Sequence, residues 1–181
     1  MPRCRTVDIL VSTGLDVAER LQEQGVAEGE AMFKCGWPRF APPVETGVRC
    51  LQSSESLVLQ FERLVAMHDC VPSAIPLPIG VVRSRDAGFV GYVVERVDGP
   101  TLGQLVDHGF LDEARRCLRR VEAVVARLHA RSLPHGDLTM ANIIAADDGR
   151  TVLIDPVPVA QRGTALQDKL CLRHLHALAQ G

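Results

Sequence analysis

Apolar residues recur along this chain at two periods, and the helical one is clearest over Leu111–Arg131. There Leu118, Val121, Val125 and Leu128 follow one another at three- and four-residue intervals, which sets them on one stripe of a helix. A second helix starts at a capping region, Ser53-Ser54-Glu55, and runs to about His68 with Leu57, Phe61, Leu64 and Val65 on one face. A third covers Leu166–Ala179, with Leu170, Leu175 and Leu178 as its apolar positions, and Thr101–His108 reads as a short one. Short apolar runs bounded by turn residues predict strands at Thr6–Val11, Glu30–Cys35, Ile79–Arg85, Phe89–Glu95, Ile143–Ala146 and Thr151–Ile154. Asp86-Ala87-Gly88 and Asp147-Asp148-Gly149-Arg150 read as hairpin turns. Between the first two strands the pattern leaves two options open: a returning strand at Val17–Leu21 or a short helix over Asp16–Gln24. Gly36–Val48, which contains Pro38, Pro42 and Pro43, reads as a loop.

Composition narrows this picture modestly. The 181 residues suffice for one domain, or for two small lobes around one cleft. A hydrophobic content of 46% suits a packed globular protein. The net charge of -2 gives no reason to expect nucleic-acid or anionic-membrane binding over the whole surface. The six cysteines form no C-x-x-C pair and no metal-ligand spacing with histidine, which points to free thiols in a reducing cytosol. No apolar run approaches the roughly 18 residues of a membrane span. The N-terminus lacks the features of a signal peptide. The expected location is cytoplasmic, or a host cytosol reached through a specialised secretion system.

The chemistry concentrates in His135-Gly136-Asp137-Leu138-Thr139-Met140-Ala141-Asn142, between the longest helix and two short strands. Asp155 follows Asp137 by eighteen residues, at the end of the apolar run Thr151–Ile154. An Asp, an Asn five residues on and a second Asp behind a strand form one site. In such a site the Asn and the second Asp can hold Mg²⁺ against nucleotide phosphates, while the first Asp orients an attacking hydroxyl. Mg²⁺ takes hard oxygen ligands and keeps several waters, so two protein ligands plus phosphates suffice.

His135, Asp137 and Asn142 match the pattern H-x-D-x-x-x-x-N, and Asp155-Pro156-Val157 stands where D-F-G is usual. In these residues the chain resembles the protein-kinase-like superfamily. The wording HGDLT-x-x-N is most similar to the small atypical kinase of the KEOPS tRNA-modification complex, with RIO kinases and minimal bacterial effector kinases as looser matches. The resemblance implies an α+β, two-lobed fold: a β-rich N-lobe over 1–96 and a truncated helical C-lobe over 97–181, with Mg²⁺ and ATP bound. It gives Asp137 the acceptor hydroxyl, and Asn142 and Asp155 the metal. Ala31-Met32-Phe33-Lys34 is similar to the V-A-I-K segment, so Lys34 would clamp phosphates and Glu62 would orient it, with Glu55 as the other candidate. Gly14 lies twenty residues before Lys34 and would sit, with Ser12 and Thr13, in a hairpin covering the phosphates. Glu95 and Val97 fall at the hinge, where backbone groups bind adenine, and Ile144 is a further nucleotide-binding position. His135 would pack under the loop, and Asp168 would brace it.

The sequence departs from the family pattern at four places. Gly136 replaces the usual Arg, Thr139 stands where a phosphate-contacting Lys is common, Pro156-Val157 stiffens the exit, and only 26 residues follow Asp155. So short a tail leaves no residues to wall a small-molecule acceptor pocket. The expected activity is therefore that of a minimal Ser/Thr protein kinase acting on a protein substrate, with a possible regulatory protein partner, no membrane and no direct nucleic-acid contact. The alternatives are an ATPase or kinase subunit acting within a complex, or a small-molecule phosphotransferase.

Overall fold

In the computed structural model the described residues are 7–11, 16–23, 25–26, 30–35, 54–84, 88–158 and 165–180. Along the chain they form β1 (Val7–Val11), α1 (Asp16–Glu23), β2 (Ala31–Cys35), α2 (Ser54–Cys70), β3 (Pro78–Ser84), β4 (Gly88–Glu95), α3 (Leu102–Asp107), α4 (Leu111–His129), a 3₁₀ turn (Met140–Asn142), β5 (Ile143–Ala145), β6 (Thr151–Leu153) and α5 (Ala165–Leu178). The fold class is α+β, as the resemblance implies. The chain divides into two compact units, Met1–Glu62 with Leu77–Arg96, and Arg63–Pro76 with Val97–Gly181.

The first unit is built on a four-stranded sheet in the order β1-β3-β4-β2. β3 and β4 form the expected antiparallel hairpin, and Gly88 enters β4 at φ +66°, a backbone state that glycine adopts without penalty. β2 lies antiparallel to β4 with Lys34 opposite Tyr92. Val82, Val90, Tyr92 and Val93 are buried in the sheet. The first turns of α2 add Leu57 and Phe61, whose ring centroid is 5.2 Å from that of Tyr92. The Tyr92 hydroxyl donates to Gln60 Oε1 at 2.9 Å, so its polar end is satisfied although burial pushes its pKa well up.

The open choice after β1 resolves as a helix, and β1 and β2 do not pair with each other as a hairpin. β1 runs parallel to β3, at the opposite edge of the sheet from β2. A strand parallel to its neighbour needs a crossover rather than a tight turn, and α1 stands in that connection. Gly14, Ser12, Thr13 and the loop over Gly36–Val48 lie outside the described residues.

In the second unit α4 buries the stripe Ala114, Cys117, Leu118, Val121, Val125 and Leu128, four of which the periodicity identifies. Thr101 caps α3 through a reciprocal pair: its hydroxyl accepts from Gln104 N–H, and Gln104 Oε1 accepts from Thr101 N–H. The stretch before α3 pairs with β5 on the side away from β6: Ala145 N–H donates to Pro100 and Asp147 N–H to Asp98. Only glycine fits at 99 in that approach, since a Cβ there would lie 2.2 Å from the Ala145 carbonyl oxygen. α5 forms where the sequence places a helix, but its apolar positions are not all turned inward. Of Leu170, Leu175 and Leu178 only Leu175 is buried, and the inward face is Asp168, Leu172 and Leu175. Among the described residues no helix is long and apolar enough to cross a membrane, and Cys70, Cys117 and Cys171 are free thiols.

Candidate active site

The loop is set up by the way α4 ends. Leu133 N–H reaches back to the Leu128 carbonyl and Ser132 takes a left-handed turn at φ 57°, so the helix stops and the chain extends toward His135. Beyond Asp137 a tight turn forms, with Thr139 N–H on the Asp137 carbonyl and Asn142 N–H on the Thr139 carbonyl. The β5–β6 ladder then pairs Ile143 with Leu153, and Ile154 N–H extends it by donating to the Asn142 carbonyl at 3.0 Å. That register brings Asn142 and Asp155 to neighbouring positions at the open end of the hairpin. Asp155 itself has φ 57°, a conformation uncommon for a residue with a side chain and typical of functional sites. Two residues on, Val157 N–H donates to the His135 carbonyl, so the chain leaving Asp155 returns to the loop.

Asn142 is buried and its Nδ2 donates twice to Asp137, to the backbone carbonyl at 3.0 Å and to carboxylate Oδ2 at 2.8 Å. With both amide protons engaged, Oδ1 is the atom Asn142 has for a cation. One amide oxygen with the Asp155 carboxylate is a pair of hard-oxygen donors, which suits Mg²⁺. Among the described residues there is no cluster of three or more His, Cys, Asp or Glu able to hold a metal alone. A cation here would complete its shell with phosphate oxygens and water, as Mg²⁺ does.

The loop is held from below by Asp168. It is fully buried; its Oδ1 accepts from Gly136 N–H at 2.7 Å, and its Oδ2 accepts from His135 N–H at 2.7 Å and pairs with His129 Nε2 at 2.8 Å. Gln167 Nε2 adds a bond to the Gly136 carbonyl, and Gly136 sits at φ 84°, where glycine is at ease. His135 is fully buried and its Nδ1 accepts from Asp137 N–H at 3.4 Å, which places the proton on Nε2. Burial pushes the imidazole pKa down to about 4, against the upward pull of Asp168 and Asp137. His135 is therefore a neutral packing group beneath the loop.

Two members of this network escape the sequence reading. His129 closes α4 six residues before His135, and its end-of-helix position is the one signal it offers. Arg63 is buried too, and its Nη2 donates to the Pro134 carbonyl. In sequence nothing local distinguishes it.

The remaining candidates fall as follows. Asp137, Asn142, Ile144, Asp155 and Asp168 gather in the second unit, with Ile144 buried in β5. Val97 also belongs there and is half-buried. Lys34, Glu62 and Glu95 belong to the first unit. Glu62 is exposed on α2, while the Lys34 and Glu55 side chains lie outside the described residues. Glu95 ends β4, where its carboxylate accepts from Leu77 N–H at 3.0 Å and its own N–H donates to the Leu77 carbonyl.

This α+β arrangement is consistent with a small two-lobed, kinase-like fold. No protein-family model matches the chain. A stretch of 108 residues is 25% identical to a probable bifunctional tRNA threonylcarbamoyladenosine biosynthesis protein of Methanosphaera stadtmanae. The matched stretch is 60% of this chain and 19% of the relative, so the chain spans about a fifth of that protein's length. The likeness is distant and partial, and it supports a kinase-like relationship.

Proposed function

We propose that this chain is a kinase-like ATPase or phosphotransferase subunit that acts within a protein complex of the KEOPS type. The observation that carries the reading is the double donation from Asn142 to Asp137, made where the hairpin register sets Asp155 alongside. Mg²⁺ bound by Asn142 and Asp155 would neutralise the charge that builds on the phosphate oxygens. Asp137, fixed by Asn142, orients the attacking hydroxyl or water. Positioning of this kind supplies most of the acceleration in phosphoryl transfer, so no strongly shifted pKa is required. Lys34, with Glu62, would clamp the phosphates; Glu95, Val97 and Ile144 would bind the nucleotide, together with Gly14.

The tRNA-modification role in the relative's name favours a complex subunit over a free protein kinase. A second reading is transfer to Ser or Thr hydroxyls of a protein substrate, which the half-buried, reachable carboxylate of Asp137 favours. Either activity belongs in a cytosol, where ATP is abundant. The test is incubation of the purified protein with γ-labelled ATP, alone and with lysate. Free phosphate stimulated by a lysate component supports the subunit reading, and labelled protein supports the second. Labelled metabolite supports a small-molecule transferase. Absence of turnover under every condition rejects all three.

A further inference from the structure

Arg63 is a buried charged group that the proposed chemistry leaves unused. It follows Glu62 on α2, is 7% exposed, and reaches the carbonyl of Pro134, the residue before His135. Its Nε is buried with no partner among the described residues. A guanidinium removed from water with an unmet N–H is unfavourable unless an anion compensates it. Burial indeed lowers its pKa, and the opposing upward pull comes from Asp168. Asp168 is the group that holds the amides of His135 and Gly136. An anion therefore grips two N–H groups of the loop, and a cation in its field grips the carbonyl just before them.

We propose that Arg63 is a positioning residue for the loop, fixing the Pro134 carbonyl and balancing the charge of Asp168 so that Asp137 is presented in one geometry. The inference rests on reading Asp137 as the group that orients the acceptor. Arg63 touches no reacting atom and acts through Pro134 and Asp168.

His135 serves as the reporter. Its imidazole is influenced by Asp168 on α5, Asp137 in its own loop, the backbone of Ile154 after β6, and Arg63 on α2. The two carboxylates favour its protonation and Arg63 opposes it. Three variants separate charge from shape: Arg63→Lys keeps the cation, Arg63→Gln keeps an N–H donor without charge, and Arg63→Met keeps only the apolar stem. The imidazole of His135 is titrated by NMR in each, and kcat and the Kd for ATP are measured alongside. In Arg63→Gln and Arg63→Met the His135 midpoint should rise by about half a unit or more, and in Arg63→Lys it should stay near that of the native protein. In Arg63→Met kcat should fall ~10-fold or more while the Kd for ATP moves less than ~3-fold, and Arg63→Lys should recover most of the rate.

An unmoved midpoint in a folded Arg63→Gln overturns the proposal. So does an equal loss of kcat in Arg63→Lys and Arg63→Met. If both uncharged variants fail to fold while Arg63→Lys folds, the same charge dependence is read as stability and the proposal stands. Unfolding of all three assigns Arg63 to shape alone and rejects it. If the native protein turns over no ATP the proposed function fails, but the imidazole titration needs no turnover and still decides the role of Arg63.

Discussion

The Asn142 amide donates to the Asp137 carboxylate at 2.8 Å. The side chain that offers an oxygen to a cation thus also fixes the group that orients the acceptor. Metal binding and acceptor positioning share one residue, while Asp137 and Asp155 each carry a single task.

Asp137→Ala should therefore abolish phosphate release and transfer, with the Kd for Mg·ATP changing only a few-fold. Asn142 keeps its bond to the backbone carbonyl of residue 137 in that variant. Asp155→Ala should lose Mg²⁺-dependent nucleotide binding and activity together. Calorimetry with and without Mg²⁺ checks both, and retained activity in Asp155→Ala would sink this division of labour.

Asp168→Asn removes a buried anion that meets two backbone N–H groups and His129. The amide can accept at only one oxygen, and its NH₂ faces a donor. A loss of about 2–4 kcal/mol in unfolding free energy is expected, read from the urea midpoint at constant slope. A change under ~0.5 kcal/mol would show that the brace contributes little.

Acid should weaken the fold through His135. Its pKa is about 4 in the folded chain against 6.5 for the free side chain, so the folded state favours the neutral form. The stabilisation is complete above pH ~6.5 and is lost as pH falls toward 4, by roughly 3 kcal/mol for a shift of this size. Urea midpoints measured from pH 7.5 down to 4.5 should fall, with a shallower slope in His135→Asn. Parallel slopes would move the effect to other groups.

Lys34→Met should cut the rate by orders of magnitude through lost phosphate positioning. Glu62→Ala should cost less, and Glu55→Ala almost nothing. Initial-rate ATPase assays rank the three, and a dominant effect of Glu55→Ala would transfer the partner role to that residue.

Sequence reading succeeded where the determinants are local. The α4 stripe repeats at helical spacing, and the loop from His135 to Asn142 and the hairpin to Asp155 are set by near neighbours, so both could be read in order. The pairing of β1 with β3 could not, because seventy-odd residues separate the partners and alternation fixes a strand's faces rather than its neighbour. α5 is legible as a helix, but its apolar positions alone do not reveal its inward face. Its burial is organised by Asp168, which two loop amides draw inside at the expense of Leu170 and Leu178. Arg63 and His129 are silent for the same reason: each is defined by a backbone group or carboxylate far away in sequence.

Asp168 lies thirty-two residues beyond the Gly136 amide that it holds. Chains are made from the N-terminus, and their parts begin to fold in that order. The loop is therefore synthesised well before its brace, and the amides of His135 and Gly136 have only water to bond until α5 follows. A nascent chain interrupted just after β6 carries Asp137, Asn142 and Asp155 in full yet lacks the group that fixes their geometry. Competence at this site arrives with α5, after Asp137, Asn142 and Asp155 have all been made.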